Sequence, residues 1–330
     1  MNNDESKQKD ELGLVEDPQE SSGAKDHFDE QLEKTLRETE EAVLSLKEIS
    51  SDPTQTHSWE EAREYVSKFR PVPGFIWRLS HFVLGRSGSI QPVSEGLVFG
   101  LRRLLFAAAS DPVLGVDEKV NSVRKALKIL DPDVIAAVSV VHAVCRRLHN
   151  KPHERIWRPI LEDAVLRARI GIDVGAQSEA FGKGRGMLAG FAGRAGLAVL
   201  IASSDLDCAR QALELLANGK SIRDVGLIVY ECDPLQVSAM ILSAAGCGRD
   251  AAFGTVSYAS PAARTIVAND EQLRWLASFS VVENVRMNTP EAVGAEYWEV
   301  LGFEDEDEKA KLLDSAKKII RRGHGWGWIL

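Results

Sequence analysis

The sequence predicts an all-α protein, and three observations carry that reading. Apolar residues recur at three- and four-residue intervals along most of the chain, the spacing of one helix face. Helix boundary signals, such as Asp131-Pro132, Asn218-Gly219 and Asp233-Pro234, punctuate those runs. One stretch alone, GLIVY at 226–230, reads as a strand, too little to make a sheet.

Residues 1–26 are rich in Asp, Glu, Lys, Ser and Gln. Such a segment buries too little apolar surface to offset its ordering entropy, so a disordered acidic tail is expected. Phe28, Leu32, Leu36, Val43 and Leu46 then share one helix face, with Glu30–Lys34 and Glu33–Arg37 spaced for ion pairs outside it. This amphipathic helix over 27–50 either packs on its own domain or binds a partner, including a second copy. Asp52-Pro53 closes the unit. Ser58 and Glu61 have the spacing of a capping box, opening a helix with Trp59, Ala62, Val66 and Phe69 inside.

FRPVPG at 69–74 must be extended, because a proline biases the residue before it away from helix. A helix with Ile76, Leu79 and Val83 follows, ended by Gly85, and another is expected from about Pro92 to Ala109. Two helices flank Asp131-Pro132-Asp133, and basic Arg146-Arg147 suit the negative end of the second. In IWRPILEDAVLRARIGIDVG, Pro159 is tolerable only in a first turn. The following helix carries Ala189, Gly190, Gly193 and Gly196, small enough for close approach to its neighbours. Asn218-Gly219 stops the next helix, and Asp233 caps one running from Pro234 to Gly246. A last helix before Pro261 ends near Tyr258.

Composition narrows function mainly by exclusion. With 330 residues the chain can bury a sizeable core, and 44% hydrophobic and 27% charged residues are ordinary for a globular protein. Its net charge of −9 argues against nucleic-acid binding, which relies on neutralising phosphates. No stretch reaches the ~18 uninterrupted apolar residues that suggest a membrane span. The acidic, polar start lacks a signal-peptide pattern, so a cytoplasmic location is expected. Cys145, Cys208, Cys232 and Cys247 are widely spaced without a CxxC pair, which points to buried free thiols.

No motif assembles an active site. Gly182, Gly184 and Gly186 lack the preceding strand of a dinucleotide loop. In the stretch ending Asn218-Gly219-Lys220-Ser221, Glu214 stands where a P-loop needs its first glycine, and GRSGS at 85–89 lacks nucleophile-elbow spacing. His149 and His153 are four apart, but Pro152 interrupts the helix that would align them as ligands. His142 fits a core histidine with a hydrogen-bond partner. The C-terminal RRGHGWGWIL puts Trp326 and Trp328 beside Arg321 and Arg322, residue types enriched in binding hot spots. That segment either binds a partner or folds back on its own domain.

The order of elements resembles the HDOD family, a helical output and scaffold domain related to the HD metal phosphohydrolases. FRPVP at 69–73, LRRLLFAAASDPVLG at 101–115 and VNSVRKALKILDPDVIAAV at 120–138 carry the likeness first, with Asp131 where glycine is usual. ERIWRPILEDAVLRA, MLAGFAGRAGLAVLIA, YECDPLQVSAMILSAAG, IVANDEQLRWLA and VLGFEDEDEKAKLLDSAKKI continue it, so it spans about 68–320. The resemblance implies a helical subdomain over 68–150 and an HD-like one over 151–322, after a helical extension at 27–67 and before a tail at 323–330. It also implies degenerate metal positions: Pro159, Gly193-Arg194, Pro234 and Tyr258-Ala259 replace histidine and aspartate, and Asp270 alone is kept.

From this follow the expectations of no catalytic residues, no metal and no cofactor. The function expected is bacterial signal transduction or scaffolding through other proteins. The alternative is a nucleotide or cyclic dinucleotide bound in the vacated pocket by Lys183, Arg185 and Arg194, whose guanidinium forks suit phosphate. A metal-dependent phosphohydrolase is the third reading.

Overall fold

The computed structural model describes residues 22–45, 53–85, 93, 95–258 and 267–330. Among them there is no strand. The elements are α1 (Ser22–Leu44), α2 (Pro53–Phe69), α3 (Gly74–Val83), a 3-10 turn (Glu95–Leu101), α4 (Arg102–Ala109), α5 (Val123–Ile129) and α6 (Pro132–His149). They continue with α7 (Glu154–Gly175), α8 (Lys183–Ser203), α9 (Leu206–Ala217), α10 (Ile222–Tyr230), α11 (Pro234–Ala244) and α12 (Arg249–Ser257). After residue 267 come α13 (Asp270–Arg286), a 3-10 turn (Pro290–Ala292), α14 (Ala295–Val300) and α15 (Glu306–Arg322).

α8 is the axis of the molecule. It is apolar on all sides, and nearly every residue from Gly184 to Ala202 is buried by α6, α7, α11 and α13. By length and composition it is apolar enough to cross a membrane, yet 89% of that apolar window lies inside the protein. Small residues set its distance from its neighbours. A methyl added at Gly196 would lie 1.9 Å from the Pro234 carbonyl oxygen, and one at Gly190 would lie 2.2 Å from that of Arg167. Gly171 of α7 and Gly186 of α8 face each other in the same way, with added methyls 2.1 and 2.2 Å from the opposite carbonyls. Backbone meets backbone along these seams, as expected from the small residues of the helix. Gly193 differs, because its nearest neighbour is the side chain of Arg167, in ordinary contact at 3.4 Å.

One hydrophobic core runs through the molecule, from Leu32 on α1 to Ile329 in the C-terminal tail. Leu32, Leu36 and Val43 are buried against α2 and α11, and Thr39 shares a 2.6 Å hydroxyl hydrogen bond with Ser243 of α11. The apolar stripe of α1 is thus covered by its own chain. Helix α1 starts at Ser22, so the tail expected over 1–26 already yields to helix at 22–26; residues 1–21, Leu46 and Asp52 lie outside the described residues.

Several local expectations are corrected. GLIVY is the body of helix α10, started by Ser221, whose hydroxyl accepts from the Asp224 N–H. A short apolar run suits a strand or a helix face equally, and here the cap decides. Helix α2 begins at Pro53, so Ser58 is interior, and its hydroxyl bonds Gln236 and accepts from the Asp233 N–H. Glu33 pairs with Arg63 of α2 rather than Arg37, and Lys34 pairs with Glu38 rather than Glu30. Of the helix expected from Pro92 to Ala109, Pro92 lies outside the described residues, and Glu95–Leu101 form a 3-10 turn before α4, with Gly96 and Gly100 weakening α propagation. Pro159 is the sixth residue of α7, past the first turn. Its ring faces outward, and Arg158 bridges Glu154 and Glu162 across it. Cys145, Cys232 and Cys247 are buried free thiols as expected, but Cys208 is half-buried.

Candidate functional site

Charge is densest where α7, α8 and α13 meet. Asp163 and Arg167 lie one turn apart on α7, and Arg167 Nε is 2.8 Å from Asp163 Oδ2. Arg194 on α8 reaches both carboxylates, with Nε 3.3 Å from Asp163 and a terminal nitrogen 3.3 Å from Glu283. Glu283 on α13 also receives Arg167, and Arg286, one turn further, sits 2.8 Å from Asp163. Three guanidiniums therefore share two carboxylates.

Position explains why each side chain points inward. Arg167 is 1% exposed, and its methylenes lie along α8 beside Gly193. Burial alone would raise the Asp163 pKa, but Arg167, Arg194 and Arg286 outweigh it and hold the carboxyl below its usual range. Burial and the like charge of Arg194 lower the pKa of Arg167. Asp163 and Glu283 are both engaged by guanidiniums, so the cluster pairs its own charges.

The family pattern would put metal ligands at positions here occupied by Pro159, Gly193-Arg194, Pro234 and Tyr258-Ala259. These residues do not fit a cation. Pro159 lies on α7 one turn before Asp163 with no donor atom to offer, and Arg194 places positive charge in the cluster itself. Pro234 turns its backbone carbonyl to Gly196, and Tyr258 packs on Phe279 at 4.8 Å between ring centres. Asp270 opens α13 on the surface, thirteen residues before Glu283 and so about 20 Å along the axis. Among the described residues no group of three His, Cys, Asp or Glu is placed to hold a metal. Residues 259–266, outside the described set, include none of those residue types.

The three residues singled out for phosphate are not brought together. Lys183 is half-buried at the start of α8, 3.9 Å from Asp131. Arg185 is buried, 3.0 Å from Glu271, and donates to the Phe181 carbonyl. Burial raises the Glu271 pKa against the pull of Arg185. Arg194 lies more than two turns on, committed to the cluster just described.

A groove of about 540 Å³ opens elsewhere, between α1, α3 and the α11–α12 turn. Trp77 and His81 line it as a parallel stack, 4.9 Å between ring centres and 4° apart in plane. Glu38, Glu41 and Arg249 supply its charges. Gly246, at φ +83°, lets the turn approach α3, since a methyl there would lie 2.8 Å from the Trp77 carbonyl.

The C-terminal segment folds back. Trp326 is buried, while Arg321 and Arg322 end α15 exposed. Trp328 is half-buried, its Nε1 donating to Asp111 at 3.4 Å. His142 has the hydrogen-bond partner expected of it, the Ile329 carbonyl at 3.0 Å. Sequence reasoning missed Asp163, Arg167, Glu283, Arg286, Trp77 and His81. The available signal was pairs of charges one turn apart on helices that also carry small buried residues.

Compared by sequence, the chain matches no family model and no curated protein. Compared by fold, it is similar to an HDOD domain protein of unknown function from Geobacter sulfurreducens, with a TM-score of 0.57 at 14% identity, covering 79% of this chain and 94% of that one. A "Putative phosphohydrolase" from Shewanella amazonensis SB2B gives 0.52 at 15% identity, over 82% of this chain and 98% of that one. A "Putative signal transduction protein" from Marinobacter aquaeolei VT8 gives 0.53 at 15% identity, over 76% of this chain and 57% of that one. The chain has an all-α, HDOD-like fold.

Proposed function

We propose that this chain is a non-catalytic signalling or scaffold protein, bacterial and cytoplasmic, that works by binding other proteins. One observation carries the reading. Arg194, at the position where the metal hydrolases of this fold place an aspartate, contributes a guanidinium to a cluster already balanced by Asp163 and Glu283. Hydrolysis of this class needs several ligands to hold a metal and activate water. Arginine neither ligates a cation nor releases its proton in this range. The signal-transduction neighbour among similar folds adds support for the cellular role.

The test has two arms. Full-length protein, loaded with manganese, iron or magnesium, is assayed against phosphomonoester, phosphodiester and cyclic nucleotide substrates, and no turnover is expected. Crosslinking and affinity capture from the native cell should return a specific protein partner. Metal-dependent turnover that Asp270→Ala abolishes would overturn the reading.

A second reading, a small-ligand regulator, is favoured by the Trp77–His81 groove rather than by Lys183, Arg185 and Arg194. A planar ring stacks readily on such a pair, and Arg249 supplies a cation beside it. Nucleotides and cyclic dinucleotides should then raise the melting temperature of the wild type but not of Trp77→Ala. No shift with any of them would remove this reading.

A further inference from the structure

The tail that follows α15 is seated rather than trailing, and its seat is built entirely by distant parts of the chain. His142 of α6 lies 187 residues from its partner Ile329, and Asp111 lies 217 residues from Trp328. The third wall is α7, where the Arg169 guanidinium lies 5.9 Å from the centre of the Trp326 ring. Trp326 is 1% exposed and Ile329 is fully buried. A carbonyl oxygen can only accept, so His142 Nδ1 carries the proton it gives to Ile329.

A hinge separates this seated segment from α15. Gly323 and Gly325 adopt φ of +81° and +75°, values costly for residues with a side chain. A methyl at Gly323, Gly325 or Gly327 would meet nothing within 4 Å. Close packing therefore does not demand these glycines; the direction of the chain does at two of them.

We propose that the Asp111–His142–Arg169 seat is a docking groove for a C-terminal aromatic–aliphatic peptide. The partner that fits it is a second copy of this chain, offering its own Trp326–Leu330. The chemistry of the occupant is given by the seat's present guest: one indole buried beside a guanidinium, one indole N–H on a carboxylate, and a backbone carbonyl on an imidazole. Tryptophan and arginine contacts of this kind dominate binding energy at interfaces. Exchange between copies, as in domain swapping, would re-form the contacts of the seat and cost the freedom lost on association and a change of direction at Gly323 and Gly325. At low concentration the tethered tail wins, because a short flexible link gives an effective concentration on the order of millimolar.

The experiment titrates a fluorescent peptide of residues 323–330 into a chain ending at Arg322. Saturable binding of one peptide per chain is expected, with none for a peptide carrying Trp326→Ala and Ile329→Ala. The intact chain should bind the peptide at least about tenfold more weakly, because its own tail competes. Should the shortened chain fail to fold, the full-length Trp326→Ala/Ile329→Ala variant also vacates the seat and should bind the wild-type peptide. Light scattering near millimolar concentration should show self-association of the intact chain that this variant lacks. A folded chain with a vacated seat that ignores the peptide would overturn the groove. Equal affinity for intact and shortened chains would overturn its location. An intact chain that stays monomeric near millimolar concentration would overturn the choice of partner.

Discussion

The charge cluster of α7, α8 and α13 and the seat of the C-terminal tail both join elements far apart in sequence, by opposite means. The cluster buries permanent charges that must satisfy one another. Losing either carboxylate leaves guanidiniums inside without their partner, so the acidic members hold it together. The seat buries aromatic surface with a few hydrogen bonds, and its guest hangs on a glycine hinge. Under the docking proposal, weakening that guest frees the tail instead of opening a cavity. The first arrangement suits a fixed internal strut, the second a replaceable contact.

The sharpest way to break this contrast is to remove one carboxylate. Glu283→Ala leaves Arg167 and Arg194 short of a partner and should cost about 3–5 kcal/mol in chemical denaturation. Adding Arg194→Ala should recover part of that loss by removing one of the stranded charges. A loss below 1 kcal/mol would mean the cluster is solvated and not a strut, since surface pairs contribute only about 0–1 kcal/mol.

Next in size is the seam that positions Arg194. Gly196→Ala drives a methyl into the Pro234 carbonyl and should cost about 1–3 kcal/mol by overpacking. Gly193→Ala meets the Arg167 side chain at 3.4 Å and the Glu283 carboxylate at 3.6 Å, both ordinary contacts. There the helix preference of alanine over glycine, worth up to about 1 kcal/mol, should leave stability unchanged or improved. Equal effects at the two glycines in thermal melts would contradict the seam.

Trp326→Ala probes the other region. A fixed core tryptophan would cost about 3–5 kcal/mol, but undocking caps the loss. Amide exchange should accelerate in residues 323–330 and around His142, with a smaller drop in melting temperature than Glu283→Ala.

The smallest effect separates the two regions by pH. Asp163 has a lowered pKa, set by burial opposed and exceeded by its three arginines. Its stabilisation is therefore present above the carboxyl's unfolded pKa and is lost only as pH falls through the lower folded value. His142 is also lowered, by burial first and then by Arg146 and His149, against the favourable Ile329 carbonyl. Its contribution is present above its unfolded pKa near 6.5 and fades as pH falls through the folded value. His324, lowered by burial against Glu162, acts in the same direction. Mild acidification should therefore loosen the tail before it disturbs the cluster, readable as tryptophan fluorescence changing before helical circular dichroism. The reverse order would remove the distinction.

Much of the fold was legible because helices announce themselves locally. Asn218-Gly219, Asp233-Pro234 and the apolar spacing of Trp59, Ala62 and Val66 act over a few residues, and the structure follows them. GLIVY was misread because a five-residue apolar run carries no period of its own. Ser58 was misread as a cap because its partners, Gln236 and Asp233, lie on a helix far along the chain. The candidate site was the least legible part. The positions expected to be degenerate came from the family likeness, but the ion-pair cluster that Arg194 joins did not. Asp163, Arg194 and Glu283 come from three helices, and no local spacing links them. For the tail, both outcomes were open in the sequence, and the seat that decides between them is 187 residues away.

Central to the proposed function is that the guanidinium-filled cluster around Asp163 and Glu283 takes no metal. Elemental analysis of full-length protein, expressed with added manganese and iron and purified without chelators, tests it most directly. The account predicts no stoichiometric metal, and no difference between the wild type and Asp270→Ala. One or more equivalents of manganese, iron or magnesium in the wild type, lost in Asp270→Ala, would contradict it.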